Sequence, residues 1–343
     1  MDQKPYADLK TERKDGEALL TGTVPVPVIA GYEEEALAHI QEEFEFQGFR
    51  KGQVPLDVVK RHVNEIYVLE DAADLALQDA WPLILEESKL LAVGRPEVAI
   101  TKLALGNPVE FRIRVALVPE FRLPDYRKMV ADIRAAEKPP TIVTDQEVDD
   151  TIRQILELRK KESKEPTPEL TDEFAKTLGG FENATDLRAK LRTSMGEERE
   201  TEARHARREA IAAKLAATAT FAIPKLLVDE ELAEAAENRA EEVKRAGITM
   251  EDYFKKLKLT PAELEDKERA HVERQLKTKF IFQKIAETEH LEADAEAVEE
   301  NLHILQKRHP EADKERLRIY VHNMLVNEKV LGLLEGQDEK GKA

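Results

Sequence analysis

From Thr144 to about Glu335 the sequence carries one helical segment after another. Thr144-Asp145-Gln146-Glu147 is a capping box that opens a helix running to about Lys161. Lys164-Glu165-Pro166-Thr167-Pro168 breaks it, and a short helix over 171–178 ends at Gly179-Gly180. A long helix spans 184–219, and Asn183-Ala184-Thr185, which matches a glycosylation acceptor, fits better as its start. Ile223-Pro224 begins another helix, stopped by Gly247, and 249–258 forms a short one with Tyr253, Phe254 and Leu257. Thr260-Pro261-Ala262-Glu263 pairs a capping box with proline at the first helical position, and that helix runs to about Thr288. Segments 294–308 and 311–335 complete an all-α second half, followed by a polar tail from Gly336.

The inner stripes of these helices are narrow. One reads Leu187, Leu191 and Met195, then Ala203, Ala206, Ala210, Ala213 and Ala217; another reads Leu226, Ala233, Ala236, Ala240 and Val243. Alanine buries little area, so hydrophobic stabilisation per residue is weak. Two arrangements fit: close antiparallel packing, which periodicity alone favours, or protruding helical arms with apolar surface left partly uncovered.

The first part of the chain reads differently. Residues 6–14 and 17–28 form a hairpin turned by Asp15-Gly16, with Pro25 and Pro27 marking an edge or an exit from the sheet. Residues 31–46 are helical, and so is the stretch from Leu56 to about Leu91, where Val58, Val59, His62, Val63 and Ile66 share a face. No second ligand stands at metal spacing with His62, so it reads as structural. Val93-Gly94-Arg95-Pro96 reads as a turn; Glu97–Leu105 and Pro108–Val118 read as strands, with Val109, Phe111, Ile113 and Val115 alternating with charged residues. Residues 1–118 are thus one α+β domain. Pro119, Pro124, Pro139 and Pro140 rule out regular helix, which makes 119–143 an extended linker at a domain boundary and leaves 144–343 as the helical domain.

Between the helices of the first domain lies Gly48-Phe49-Arg50-Lys51-Gly52-Gln53-Val54-Pro55. Glycine on both sides permits backbone turns closed to other residues, and Pro55 suits the first turn of a helix. The loop either presents Phe49, Arg50 and Lys51 outward, as aromatic and arginine anchors do at interfaces, or folds its Phe into the core. From 48 to 62 four cations face one anion, a local +3 on a chain of net charge −17. That acidic body argues against general nucleic-acid binding, which needs a basic surface, but admits one small basic contact.

Other chemistry is missing from the sequence. There is no cysteine, so disulfides and thiolate sites are excluded. Neither a Gly-x4-Gly-Lys-Ser/Thr loop, a His-Glu-x-x-His pair nor a Gly-x-Ser-x-Gly elbow occurs. No metal, no cofactor and no catalytic residue is expected. Met1-Asp2-Gln3-Lys4-Pro5-Tyr6 has no apolar leader, and no stretch approaches the ~20 apolar residues of a membrane span, so a cytoplasmic protein is expected.

The loop, the element order and the helical half together resemble trigger factor, the bacterial ribosome-associated chaperone family. Gly48-Phe49-Arg50-Lys51-Gly52-x-x-Pro55 looks like the family's signature loop, and Pro168-Glu169-Leu170-Thr171-Asp172-Glu173-Phe174-Ala175 like the opening of its C-terminal domain. Met250-Glu251-Asp252-Tyr253-Phe254 and Thr260–Ile285 also fit. The resemblance implies that Phe49, Arg50 and Lys51 contact the ribosome, at a tunnel-exit protein and nearby rRNA. It implies an ATP-independent holdase whose helical domain shields unfolded or nascent polypeptides, and a homodimer off the ribosome. One departure stands out. Trigger factors carry a prolyl isomerase domain before the helical domain; here only about 161–169 stands in its place, where even a small domain needs roughly 50 residues. The chain is therefore expected not to be an enzyme. The alternatives are isomerase activity at an unrecognised site and a ribosome-assembly scaffold without clients.

Overall fold

The computed structural model describes residues 4–136, 142–163 and 170–336. The breaks expected at Pro139-Pro140 and over Lys164–Pro168, the Pro168-Glu169 part of the family-like run and the tail beyond Gly336 lie outside the described residues. In chain order the elements are β1 (Ala7–Lys14), β2 (Glu17–Val24), α1 (Val26–Glu43), α2 (Leu56–His62), α3 (Glu65–Ser88), β3 (Ala92–Lys102) and β4 (Val109–Leu117). Helices follow: α4 (Tyr126–Ala136), α5 (Asp145–Ser163), α6 (Asp172–Thr177), α7 (Ala184–Thr218), α8 (Lys225–Arg245), α9 (Met250–Leu257), α10 (Pro261–Glu289), α11 (Ala295–Arg308) and α12 (Lys314–Leu334). A small sheet domain followed by a helical region is the fold class expected from the sequence. The chain packs as two compact units, each assembled from two segments: 1–122 with 220–280, and 123–219 with 281–343.

In the first unit the sheet has the order β1-β2-β4-β3, with every neighbouring pair antiparallel. Strand alternation works as expected: Ala18, Leu20 and Val24 of β2 and Phe111, Ile113 and Val115 of β4 are buried in one cluster with Ala72, Ala76, Ala80 and Ile84 of α3. Alanines on α3 let its backbone come close to the strands. Gly22 pairs with Phe111 across β2 and β4, and the Phe111 ring fills its side-chain space. A Cβ there would lie 2.7 Å from the ring and 3.0 Å from the Ala7 carbonyl. Gly22→Ala should therefore cost about 1–3 kcal/mol through overpacking, seen as a lower urea midpoint at unchanged m-value; an unchanged midpoint would refute the packing argument.

The segment 220–280 belongs to this same unit. Pro224, the N-cap of α8, offers no capping side chain. The Glu17 carboxylate of β2 substitutes, accepting the Leu226 N–H at 3.0 Å, where a negative group also favours the helix dipole. Leu226, Leu227 and Val228 are buried, and Phe221 stacks on Phe121 at 4.1 Å.

In the second unit Val148 and Ile152 of α5 are buried with Val143, against Leu191 and Met195 of α7. Both expected capping boxes form. The Thr144 N–H donates to Glu147 at 2.8 Å and the Glu147 N–H to Thr144 Oγ1 at 3.3 Å; Thr260 and Glu263 repeat the geometry. Asn183 caps α7 through the Asp186 N–H at 2.9 Å. The Thr144 backbone donor, then Arg199 and the Thr144 hydroxyl, hold the Glu147 carboxyl down from 4.5 to about 2. A depressed carboxyl stabilises above its unfolded value and loses that contribution as pH falls. The start of α5 should thus loosen between pH 4.5 and about 2. Thermal midpoints of Glu147→Gln should fall less steeply across that window than those of the parent, and parallel curves would contradict the linkage.

Several boundaries differ from expectation. The stretch 119–143 is not extended throughout: Pro124 and Pro139 bracket a proline-free interval in which α4 forms. The hairpin's second strand ends at Val24, and Pro25, the N-cap of α1, places Val26 and Val28 in that helix. The helix expected from Leu56 to Leu91 is two, because Asn64 caps α3 through the Ile66 N–H at 3.0 Å. Val93–Pro96 is not a turn but an irregular part of β3, where the register shifts between Val93 and Glu97. The alanine stripes are misplaced: Ala206, Ala210, Ala213 and Ala217 of α7 and Ala233, Ala236 and Ala240 of α8 are exposed, while α7 buries Leu187, Ile211 and Leu215. The larger side chains set the buried face because they remove more apolar area from water.

Candidate functional site

The loop between α1 and α2 rests on a small core of its own. Leu37, Val54 and Val59 are buried there, with Ile40, Phe44, Phe46, Val58 and Val63 packed around them. Gln41 of α1 donates its side-chain N–H to the Val54 carbonyl, tying the end of the loop to the helix before it. Pro55 is the N-cap of α2 rather than its first helical residue, and its carbonyl accepts from Val58 at 2.8 Å. His62 is exposed: its Nδ1 lies 2.8 Å from the Val58 carbonyl and its ring packs on Phe46, with centroids 4.6 Å apart.

On this base the chain turns twice at glycine. Gly48 has φ +94° and Gly52 φ +76°, left-handed values that disfavour a side chain. A Cβ on Gly52 would also come within 3.3 Å of the Glu42 carbonyl. The two turns bring Phe49, Arg50 and Lys51 out together, all three exposed, Phe49 at 45%. Phe49 does not fold into the core; its ring lies beside Phe46, with centroids 6.4 Å apart. Among the described residues Arg50 has no ion-pair partner. Lys51 pairs with Glu43 from the end of α1, which raises the lysine's affinity for its proton. A charge count over 48–62 misses this, because Glu42, Glu43 and Glu45 stand just upstream. The tip offers one free guanidinium, one tethered ammonium and one exposed ring, a combination suited to an acidic or phosphate-bearing surface with an apolar notch.

Apolar side chains are exposed elsewhere. In the first unit α9 has no buried residue, and it exposes Met250 and Leu257 while Tyr253 and Phe254 meet edge to face. In the second unit Ile304 of α11 and Ile319 and Tyr320 of α12 are at least half exposed. Tyr320 lies outside the buried face of α12, which Val321 occupies. Among the described residues no helix is long and apolar enough to cross a membrane.

Comparison with known proteins bears on both regions. The family model for the bacterial trigger factor protein matches residues 7–155, and the model for the trigger factor C-terminus matches 184–334. No family model of a prolyl isomerase domain matches between them. A trigger factor of Caldicellulosiruptor bescii is 24% identical, covering 80% of this chain and 82% of its own. One from Clostridium botulinum is 22% identical, covering 85% and 90%. The first alignment runs over 366 residues, more than the 343 of this chain, so about 90 of its positions have no counterpart here. A solved structure, "Promiscuous Substrate Recognition in Folding and Assembly Activities of the Trigger Factor Chaperone", shares the fold at a TM-score of 0.51 and 17% identity, over 95% of this chain and 98% of its own.

Proposed function

The chain belongs to the trigger factor family of ribosome-associated chaperones, and from that premise we propose that it is an ATP-independent holdase that docks at the ribosomal tunnel exit and shields nascent polypeptides. The observation that carries this reading is the exposed Phe49-Arg50-Lys51 tip, held on its own small core within the segment that matches the family's N-terminal part. Residues 1–118 would serve docking, to a tunnel-exit protein and nearby rRNA. Residues 144–343 would hold clients through scattered apolar side chains such as Met250, Leu257, Ile304, Ile319 and Tyr320. Weak contacts spread over several helices suit many unrelated clients and rapid release. The absence of a phosphate-binding loop supports independence from ATP. Homodimerisation off the ribosome and a cytoplasmic location belong to the same reading.

The interval 156–183 between the two family matches is too short for an isomerase domain of roughly 50 residues or more, which supports a protein that acts without prolyl isomerisation. Two assays on one preparation test the proposal. Aggregation of an unfolded protein should be suppressed without ATP, and the protein should co-sediment with ribosomes. Ribosome binding without suppression would favour a scaffold. Acceleration of proline-limited refolding at catalytic concentration would overturn the non-enzymatic reading.

A further inference from the structure

The end of α1 carries charge of the sign a helix favours least there. Its last turn is Ile40-Gln41-Glu42-Glu43, with no basic residue, although the carbonyls that end a helix attract cations. The cation comes instead from the docking loop, where Lys51 pairs with Glu43. The backbone sets up this meeting. Gly52 runs so near the end of α1 that a Cβ on it would stand 3.3 Å from the Glu42 carbonyl. Gln41, one turn earlier, holds the Val54 carbonyl. The returning limb of the loop is thereby laid along the end of α1, with Lys51 beside Glu43. Arg50, one residue earlier, has no ion-pair partner among the described residues. Both members of the pair remain open to solvent, Lys51 at 50% and Glu43 at 81%. An exposed pair of this kind is weak and exchanges readily. Another anion can take Lys51, but it must displace Glu43 first.

We propose that Glu43 is an internal competitor for Lys51. In the free protein its carboxylate occupies the ammonium that would otherwise stand ready for an anionic group of the docking partner, and so limits how tightly the tip docks. The assignment rests on the docking reading, to which it adds a residue outside the tip that sets affinity. Of the two cations at the tip only Lys51 is restrained, so the restraint trims docking without abolishing it. Phe49 and Arg50 keep the place, and Glu43 keeps the contact transient.

The test is ribosome pelleting at graded salt with the full chain as four proteins: the parent, Glu43→Gln, Lys51→Ala and the two changes together. Removing the competitor should tighten docking about two- to fivefold, the range of an exposed ion pair. The gain should be largest at low salt and fade as salt rises, because ions screen the pair as well as the contact. Lys51→Ala should cost more on the Glu43→Gln background than on the parent. With Lys51 absent, Glu43→Gln should leave docking nearly unchanged. The Glu43 side chain is exposed, so circular dichroism and aggregation suppression should match the parent. Weaker docking by Glu43→Gln would overturn the proposal and make Glu43 a strut that positions the loop. Unchanged docking at low salt would overturn it as well. An equal gain with and without Lys51 would also do so, since the carboxylate would then act by repelling the ribosome directly rather than through the lysine. In these three outcomes the docking reading stands. Absence of co-sedimentation by the parent would overturn that reading instead, and the proposal with it.

Discussion

Replacing Phe49, Arg50 and Lys51 together by alanine is expected to abolish co-sedimentation with ribosomes and to leave helix content and the unfolding midpoint almost unchanged. All three side chains are exposed, and none belongs to the Leu37, Val54 and Val59 core beneath the loop. Surface truncations of this kind stay within about 0.5 kcal/mol of neutral. Gly48 and Gly52, which set the turns, remain. The three anchors are the aromatic and arginine types that dominate interfaces, where a central one contributes roughly 2 kcal/mol or more, about thirtyfold in affinity. Three together would take binding below detection. Single substitutions should be unequal. Among the described residues Arg50 has no ion pair to give up, and it can fork onto a carboxylate or phosphate, so Arg50→Ala should weaken binding most among the cations, and Arg50→Lys should rescue it only in part. Lys51 must first leave Glu43, so Lys51→Ala should cost less. Pelleting with the ribosome at graded salt reads all of these. Undiminished binding of the triple variant would remove the loop from the mechanism, and a larger loss for Lys51→Ala than for Arg50→Ala would reverse the assigned roles.

What could be read in the sequence was what is encoded within a few residues. The two Thr-x-x-Glu caps, the Asn183 start and the strand alternation in β4 all depend on neighbours along the chain, and all form. The loop's glycines were legible for the same reason, but whether Phe49 points out or in depends on Phe46 and Val54, so the residues of the loop left that open. The errors share a cause in distance or in weak side chains. Each proline of 119–143 interrupts a helix only locally, and the proline-free run between Pro124 and Pro139 holds α4. Alanine marked the wrong face of α7 because Ile211 and Leu215, about 140° round the helix, bury more area. The docking of α8 through Glu17 joins residues 209 apart, and no local pattern announces it. Lys51 gives up its freedom to Glu43, eight residues upstream and outside the basic stretch 48–62.

Arg208 illustrates the same limit with the largest expected effect on stability. Within the mixed-charge run 197–209 of α7 it reads as part of a solvated face. Yet its guanidinium is largely covered, and it forks onto Glu335, just past the end of α12, with Nε at 3.1 Å from one carboxylate oxygen and Nη2 at 3.0 Å from the other. Its Nη1 also donates to Glu328 at 3.0 Å. The Glu335 side chain is only 1% exposed. Removing the arginine therefore leaves a buried carboxylate without its counter-charge, and Arg208→Met should destabilise the second unit by about 3 kcal/mol, at the lower end of the usual cost for breaking a buried pair. Glu328→Ala, at the exposed end of the fork, should cost under about 1 kcal/mol. The decisive comparison is Arg208→Met with Glu335→Met. If the cost lies in the stranded charge rather than in the attraction lost, the double variant should recover most of the stability, since two apolar side chains of similar size pack without any desolvated ion. Urea unfolding followed by far-ultraviolet circular dichroism gives the three midpoints. Because the chain forms two compact units, they should be read from the transition that Arg208→Met itself moves, with the other transition as an internal control. A double variant no more stable than Arg208→Met would show that the pair itself, not the burial of its carboxylate, holds α7 to the end of α12.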